Sequence, residues 1–432
     1  MPKGKKKAGR KCRGVDNSQP TTDEDYDTAD NLSTVSGLSE DRGSFPEEGN
    51  ADGEVEETTA QEDFEDKLAE SIDGTSQKSA QGRKSCLDII QKSFARKYLI
   101  DFLSNRKETA ADSLCRCLRK GKGDEQALAA RCSSLLCIQL GQDAESMFSS
   151  FHPILSTIML DNSAQLKARA ECATAIALCS FVASSDTEMV VKIMNSLEDI
   201  FRLSYRKGDK SIPSHSPEMC RLHASALSAW TLLLSIAPPF LVDKVVESHL
   251  PRLPDLLHNQ DVDLRIAAGE TIALMYELAR EDDEDFEGED IETLCEILKN
   301  LATDSHKYRA KKERRHQRSI FRDVLGAVQN YESPDMCIKF GTESVILDSW
   351  TRRKQYDTFC QILGSGTNLH LQENTLVREV FGLGAPIPVS NVPAHRPSKV
   401  ERTLFNAAAF KARTKLRAKH RDKRCANVSG GD

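Results

Sequence analysis

The residues of this chain whose types and spacing could do chemistry are its lysines and arginines. From Lys411 to Arg424 eight positions are Lys or Arg, against the single acid Asp422. Lys411, Arg413, Lys415, Arg417, Lys419 and Arg421 fall on every second position, and Lys423 and Arg424 close the run. Alternate spacing gathers charge on one face of a strand. The intervening Ala, Leu and Thr, which follow Ala407-Ala408-Ala409, favour a helix instead. On a helix each step of two residues turns about 200°, so the charge surrounds nearly the whole circumference. Such a helix has no apolar stripe to lay on a core and calls for water or an enclosing polyanion. A second cluster, Lys307, Arg309, Lys311, Lys312, Arg314, Arg315 and Arg318, is interleaved with His306, Tyr308 and His316 and runs straight into the apolar Ile320, Phe321, Val324, Leu325 and Val328. One half of that helix can dock while the other projects charge. The chemistry of both clusters is phosphate neutralisation, which is salt-dependent and nearly blind to sequence.

Other chemistries lack their residues. There is no Walker lysine loop, no Gly-x-Ser-x-Gly elbow, no His-Glu-x-x-His and no set of acids at metal-site spacing. The sequence therefore predicts no catalytic residue, no cofactor and no small-molecule substrate. Gly364-Ser-Gly366 has no strand of a phosphate-binding unit before it and reads as a helix end plus a turn. His152, His223, His249 and His258 are scattered over helical positions and read as ordinary surface or core histidines. Among thirteen cysteines no Cys-x-x-Cys occurs, and Cys115-Arg-Cys117 is poor ligand spacing. Cys86, Cys132, Cys137, Cys172, Cys179, Cys220 and Cys295 sit in apolar helical patterns, so buried free thiols in a reducing compartment are expected, with no metal. No apolar run approaches the roughly 20 residues of a membrane span, which predicts no membrane partner. A cytoplasmic location is expected, with the nucleus as a second one.

The elements that must position the cations follow from composition and repetition. The chain is 29% charged and only 39% apolar, with a net charge of −7. That figure hides a segregation: residues 14–66 carry −17, leaving a basic remainder of +10. Residues 1–61, a basic patch at Lys3 to Lys7 and then an acidic stretch rich in Ser, Thr and Gly, have too few apolar groups to offset the entropy of ordering and are expected to be a disordered tail. Residues 62–330 read as amphipathic helices with internal repetition. Arg169 to Leu178 matches Arg265 to Leu274 in its Arg, its Ile-Ala-Leu ending and their spacing, and the frame returns at Arg83, Arg131 and Arg221. These arginines lie 48, 38, 52 and 44 residues apart, the roughly 40 to 47 of HEAT or armadillo units, with Arg206 to Pro217 as a lengthened loop. The fold class is thus all-α, an armadillo/HEAT-like α-solenoid whose stack leaves a long concave surface for a partner. Each repeat Arg stands at the start of an inner helix, where it either pairs with a carboxylate of the neighbouring unit or faces water; a structural role rather than direct ligand binding is expected. Residues 331–384 form a small α+β module: two short strands around Gly341, then helices from Arg352 and from Leu369. The Pro-rich residues 385–398 form a linker, which gives reach, and residues 399–424 the basic helix.

Taken with Gly121-Lys-Gly-Asp-Glu-Gln-Ala127, Arg265-Ile-Ala-Ala-Gly-Glu270, Tyr308-Arg-Ala-Lys311, Ser319-Ile-Phe-Arg-Asp-Val-Leu325, Gly364-Ser-Gly366 and Phe410-Lys-Ala-Arg-Thr-Lys415, the chain resembles the interferon-related developmental regulator family over about residues 60–424. The resemblance implies an armadillo-type regulator of growth and differentiation. It further implies either of two roles. One is binding to non-translating ribosomes, on rRNA and with the C-terminal helix in the mRNA channel. The other is nuclear co-regulation of transcription with histone deacetylase corepressor complexes. A helix charged all round suits the RNA-walled channel better than a protein groove.

Overall fold

The computed structural model describes residues 53–184, 186–209, 211–303 and 311–387. Lys307, Arg309, the side chain of Lys311, the acidic tail and the whole run Lys411–Arg424 lie outside the described residues. The chain divides into two compact units, residues 1–69 and 70–432. Of the first, the described part belongs to helix α1 (Gly53–Gly74). The second holds the elements that follow.

Those elements are α2 (Ala80–Arg96), α3 (Ile100–Leu103), α4 (Lys107–Lys120), α5 (Asp124–Leu140), α6 (Glu145–Leu160), α7 (Leu166–Ala183), α8 (Thr187–Phe201), α9 (Pro217–Leu234), α10 (Pro239–His249), α11 (Val262–Asp282), α12 (Ile291–Thr303) and α13 (Lys311–Asn330). Their starts are written locally. Ser79, Asp186, Ser216 and Asp261 each accept a hydrogen bond from a backbone N–H of the first turn, and Pro217 follows Ser216 at the position where a missing N–H costs nothing. Packing alternates. Helices α2, α5, α7, α9, α11 and α13 lie side by side as an inner row, while α4, α6, α8, α10 and α12 each cover the next inner helix from outside. This is an α-solenoid of the armadillo/HEAT kind. Because inner helices touch neighbours on nearly every side, they carry small residues: Ala168, Cys172, Ala173 and Ala177 of α7 and Ala268 and Gly269 of α11 are all buried. A Cβ on Gly269 would lie 2.8 Å from Phe321 Cε1 on α13.

Four of the five repeat arginines are structural, while Arg221 is exposed. Arg83 makes a bidentate pair with buried Glu125 of the next inner helix, at 2.6 and 2.9 Å. Arg169 donates to the Met159 carbonyl, and Arg265 to the carbonyls of Asn259 and Gln260 and to Gln317. Arg131 differs from the repeat frame. It lies in the middle of α5 rather than at its start, and donates to the carbonyls of Gln361 and Ile362.

Those two carbonyls belong to the C-terminal module, and here the structure corrects the expectation of a surface left open for a partner. Strands β1 (Met336–Phe340) and β2 (Glu343–Leu347) pair antiparallel around Gly341, whose φ of +51° suits glycine. Helix α14 (Trp350–Leu363) then lies across the inner row, touching α2, α5, α9 and α11. Its first turn is capped by Glu277 of α11, which accepts the N–H groups of Trp350 and Thr351 at 2.6 and 2.9 Å. Lys354 reaches Ser228, Gln355 reaches Ser235, Arg353 pairs with Asp323, and Phe359 packs edge-on against Phe181. Gly364 ends the helix in a left-handed conformation, and Gly366 passes so close to Ala95 at the end of α2 that no phosphate fits between.

Helices α15 (Thr367–Glu373) and α16 (Thr375–Val380) fasten the far end. The second helix expected from Leu369 to Phe381 is interrupted at Asn374, which caps α16 by accepting the Val377 N–H. Its side-chain amide donates to the Ile138 carbonyl and faces His370 Nδ1, while His370 Nε2 faces the Phe94 carbonyl. Both side chains are fully buried. Asn374→Ala removes the cap and strands two acceptors, so a loss of about 2 kcal/mol is expected in denaturant unfolding.

His370 gives the module a pH dependence. Burial pushes its imidazole down to about 4, only partly opposed by the hydrogen bonds to the carbonyls of Phe94 and Ala95. Burial likewise holds His223 down to about 4, with His215 and Arg169 adding repulsion. A depressed histidine favours the fold while neutral, so its contribution is complete above the unfolded value of about 6.5 and is lost as the pH falls from there toward 4. Melting temperature should be level from pH 8 to 7 and drop progressively below about 6.5; a flat profile down to pH 4.5 would contradict the assignment.

Candidate nucleic-acid interface

Helix α13 is the described part of the basic apparatus. Its C-terminal half is anchored: Ile320, Phe321, Val324, Ala327 and Val328 are buried, against α11 and α12. Its N-terminal half projects. Lys312, Arg315 and His316 are exposed, and Arg314 and Arg318 are half-exposed, with buried Nε atoms that have no hydrogen-bond partner among the described residues. At about 100° per residue these five positions sweep about 200° of the circumference. The complementary arc holds Gln317, buried and accepting from Arg265 at 2.6 Å. Thus the fold turns Gln317 inward as a neutral amide, while the described cations of this half-helix and the acid Glu313 face solvent wholly or in part. Arg322 continues the exposed side by one more turn.

The cations that the sequence singles out therefore separate. Lys312, Arg314, Arg315 and Arg318 are brought together on one half-helix. Lys307, Arg309, Lys411, Arg413, Lys415, Arg417, Lys419, Arg421, Lys423 and Arg424, with the side chain of Lys311, lie outside the described residues. The residues that place the module carrying the basic run toward the chain end were not legible from the sequence. Arg378 is the chief one. Its guanidinium is 2% exposed, forks onto Glu343 at 2.8 and 2.9 Å, and also donates to the carbonyls of Leu371, Gly384 and Ala385. This hydrogen bonding holds the Glu343 carboxyl below its usual range. One side chain thereby ties the hairpin, α15 and the departing chain together.

Among the described residues no group of three or more His, Cys, Asp or Glu is placed to hold a metal ion, and no helix is long and apolar enough to cross a membrane. The cysteines among the described residues are free: Cys132, Cys137, Cys172 and Cys179 are wholly buried, and burial pushes the Cys117 thiol up to about 11. Of the histidines that the sequence singles out, His223 and His249 are engaged in the core, His152 is half-buried and His258 is exposed. Ser204 Oγ lies 2.6 Å from His223 Nδ1, and Tyr205 Oη lies 3.1 Å from His249 Nδ1 beside Trp230.

Comparison with known proteins finds relatives over most of the chain. A family model described as "Interferon-related developmental regulator" matches residues 31–329, and a second, "Interferon-related protein conserved region", matches residues 374–425, from the Asn374 cap through the basic run. Interferon-related developmental regulator 1 of Homo sapiens is 45% identical over 412 residues, which are 94% of this chain and 90% of that protein. Interferon-related developmental regulator 2 of Mus musculus is 45% identical over 375 residues, 86% of this chain and 85% of the relative.

Proposed function

The chain belongs to the interferon-related developmental regulator family, and from that premise we propose that it is a non-enzymatic, ribosome-binding regulator that represses translation. The solenoid and the basic half of α13 grip rRNA through its phosphates. The run Lys411–Arg424 enters the mRNA path and occludes it. One observation carries the reading: α13 is anchored by an apolar half while its basic half is held out over a wide arc, an arrangement that suits a partner charged along its length and contacts phosphate rather than bases. The rival reading, a nuclear scaffold that holds corepressor proteins in the solenoid groove, needs an open inner face. That face carries α14 to α16.

Sucrose-gradient fractionation tests the proposal. The protein should co-sediment with ribosomes at low salt and leave them as salt rises, because each neutralised phosphate returns a counterion. A distribution that is wholly nuclear and ribosome-free, or binding indifferent to salt, would reject it.

A further inference from the structure

Lys120-Gly121-Lys122-Gly123, the turn from α4 into α5, is a cationic loop that the proposed function has not used. Both glycines are buried, and neither has room for a side chain. A Cβ on Gly121 would meet the Cys117 carbonyl, and one on Gly123, whose φ is +58°, the Gln165 side-chain amide. The glycines fix the backbone, and Lys122 between them stands in solvent with Arg119 and Lys120. Exposed Lys78, whose carbonyl accepts from Arg83, and half-exposed Lys84 and Arg116 complete the group. The acids of the turn are already engaged, Glu125 by Arg83 and Asp124 by Lys167 at 2.8 Å. None of the six cations forms an ion pair among the described residues, and exposed Asp112 of α4 offsets one of them.

This turn shares an edge of the solenoid with the basic half of α13. Each inner helix is followed by an outer one that runs back, so the inner helices are parallel and their starts lie together. Lys167 reaches Asp124, Cys220 reaches Asn259 just before α11, and Arg265 reaches Gln317. Helix α14 crosses the row nearer the other ends, at Phe181, Ser235 and Glu277. The loop Glu281–Glu292, with nine acids and no Lys or Arg, belongs to that opposite edge. Between the turn and α13, exposed Asp161, Glu218 and Asp263 are interspersed with exposed Arg221 and Arg252, so cations are concentrated at two ends. From α5 to α13 there are four helix-to-helix steps, a distance of roughly 30–40 Å.

We propose that Arg119–Lys122 and the basic half of α13 are the two ends of one grip on the backbone of an RNA duplex, which lies along the edge where the inner helices start. The partner has to carry phosphates over that whole distance, which a nucleotide or an inorganic phosphate does not. Packed helices hold the two cation groups at a fixed separation. A duplex, whose phosphates are also fixed, meets both without the ordering cost that a single strand incurs. About 16 bp of RNA duplex engages a protein through two minor grooves and the phosphates between them, and the acidic opposite edge turns the duplex toward this side. The inference rests on the proposed function, which supplies the RNA, and adds to it a second contact surface and a duplex form.

Affinity of the full chain for RNA duplexes of about 8 bp and about 20 bp tests the grip. Two linked contacts raise affinity far more than either alone, so R119Q/K120Q/K122Q should weaken the long duplex about tenfold and the short one only about twofold. K312Q/R315Q should do the same from the other end. The salt slope for the long duplex should fall by roughly 2 to 3 in the first variant, with an unchanged melting temperature as the control for folding. An equal loss on both duplexes, or no loss, would overturn the proposal. So would carboxyl-to-amine crosslinks from Lys120 or Lys122 to the chain's own acidic residues 16–57 that survive saturating duplex, since the tail would then be the occupant. Length-dependent binding through the turn by a chain that does not sediment with ribosomes would uphold the grip and sink the proposed function. Co-sedimentation with ribosomes but no binding of either duplex would do the reverse.

Discussion

A chain ending at Pro397 is expected to require at least about tenfold more protein for half-inhibition of cell-free translation than the full chain. The argument is electrostatic. The deleted stretch carries the eight cations from Lys411 to Arg424, and each phosphate contact on a single strand contributes about −0.7 to the slope of log affinity against log salt. Engagement of even half of these cations moves affinity by more than a decade between low and physiological salt. Stability should hardly respond, since Arg378, Glu343 and the helices on the inner row all precede the deletion. Melting temperature is therefore the control, and a shift of less than about 2 °C is expected. Full inhibition by the shortened chain at equal concentration would show that the basic run does not block the message.

Gly366→Ala should produce the largest loss of stability from a single atom. A Cβ at this position collides with the backbone carbonyl of Ala95, with the carbonyl carbon at 2.7 Å and the Arg96 Cα at 3.0 Å. Side chains can rotate away from such contacts; a helix end cannot. Either the last turn of α2 frays or α15 lifts off. In both cases the approach of His370 to Phe94 and of Asn374 to Ile138 is lost together with the buried Leu371 and Val377 packing. A cost of at least about 3 kcal/mol is expected. Hydrogen exchange should localise it: amides at the ends of α2 and α5 should lose protection, while those of α12 and α13 keep theirs. A loss spread evenly along the inner row, or no loss at all, would contradict the contact.

Much of this architecture is visible in the sequence for a physical reason. A solenoid repeats one local problem, so Arg169 and Arg265 recur in the same frame, and the starts of α2, α8, α9 and α11 carry their own Ser or Asp cap. Period, element type and the division of α13 into a basic and an apolar half are all short-range properties. What stayed hidden is long-range. Nothing in the neighbourhood of Glu277 indicates that it caps a helix more than 70 positions later, at 2.6 Å from the Trp350 N–H. Arg131 obeys the repeat frame by spacing yet serves the end of α14. Asn374 announces itself only as a helix start, and its second role at Ile138 depends on two segments 236 residues apart. The sequence expectation of an open concave surface failed for the same reason: a groove's occupant cannot be read from the residues that line it.

The helix laid across the inner row also bears on how the molecule comes into being. An open array of repeats can nucleate anywhere and add units one at a time, because each contacts only its neighbours. Here the segment that unites distant repeats is synthesised after all of them. Until residues 350–380 emerge, the apolar positions that receive Phe359, Leu371 and Val377 wait uncovered on nascent helices, exposed to the aggregation that threatens late-closing topologies. Once closed, the array no longer melts from its ends, since releasing α2 or α11 means releasing α14 as well. A stop codon before Trp350 would therefore be far more harmful than its position near the end suggests, and unfolding of the intact chain should follow one transition rather than a staircase of repeats.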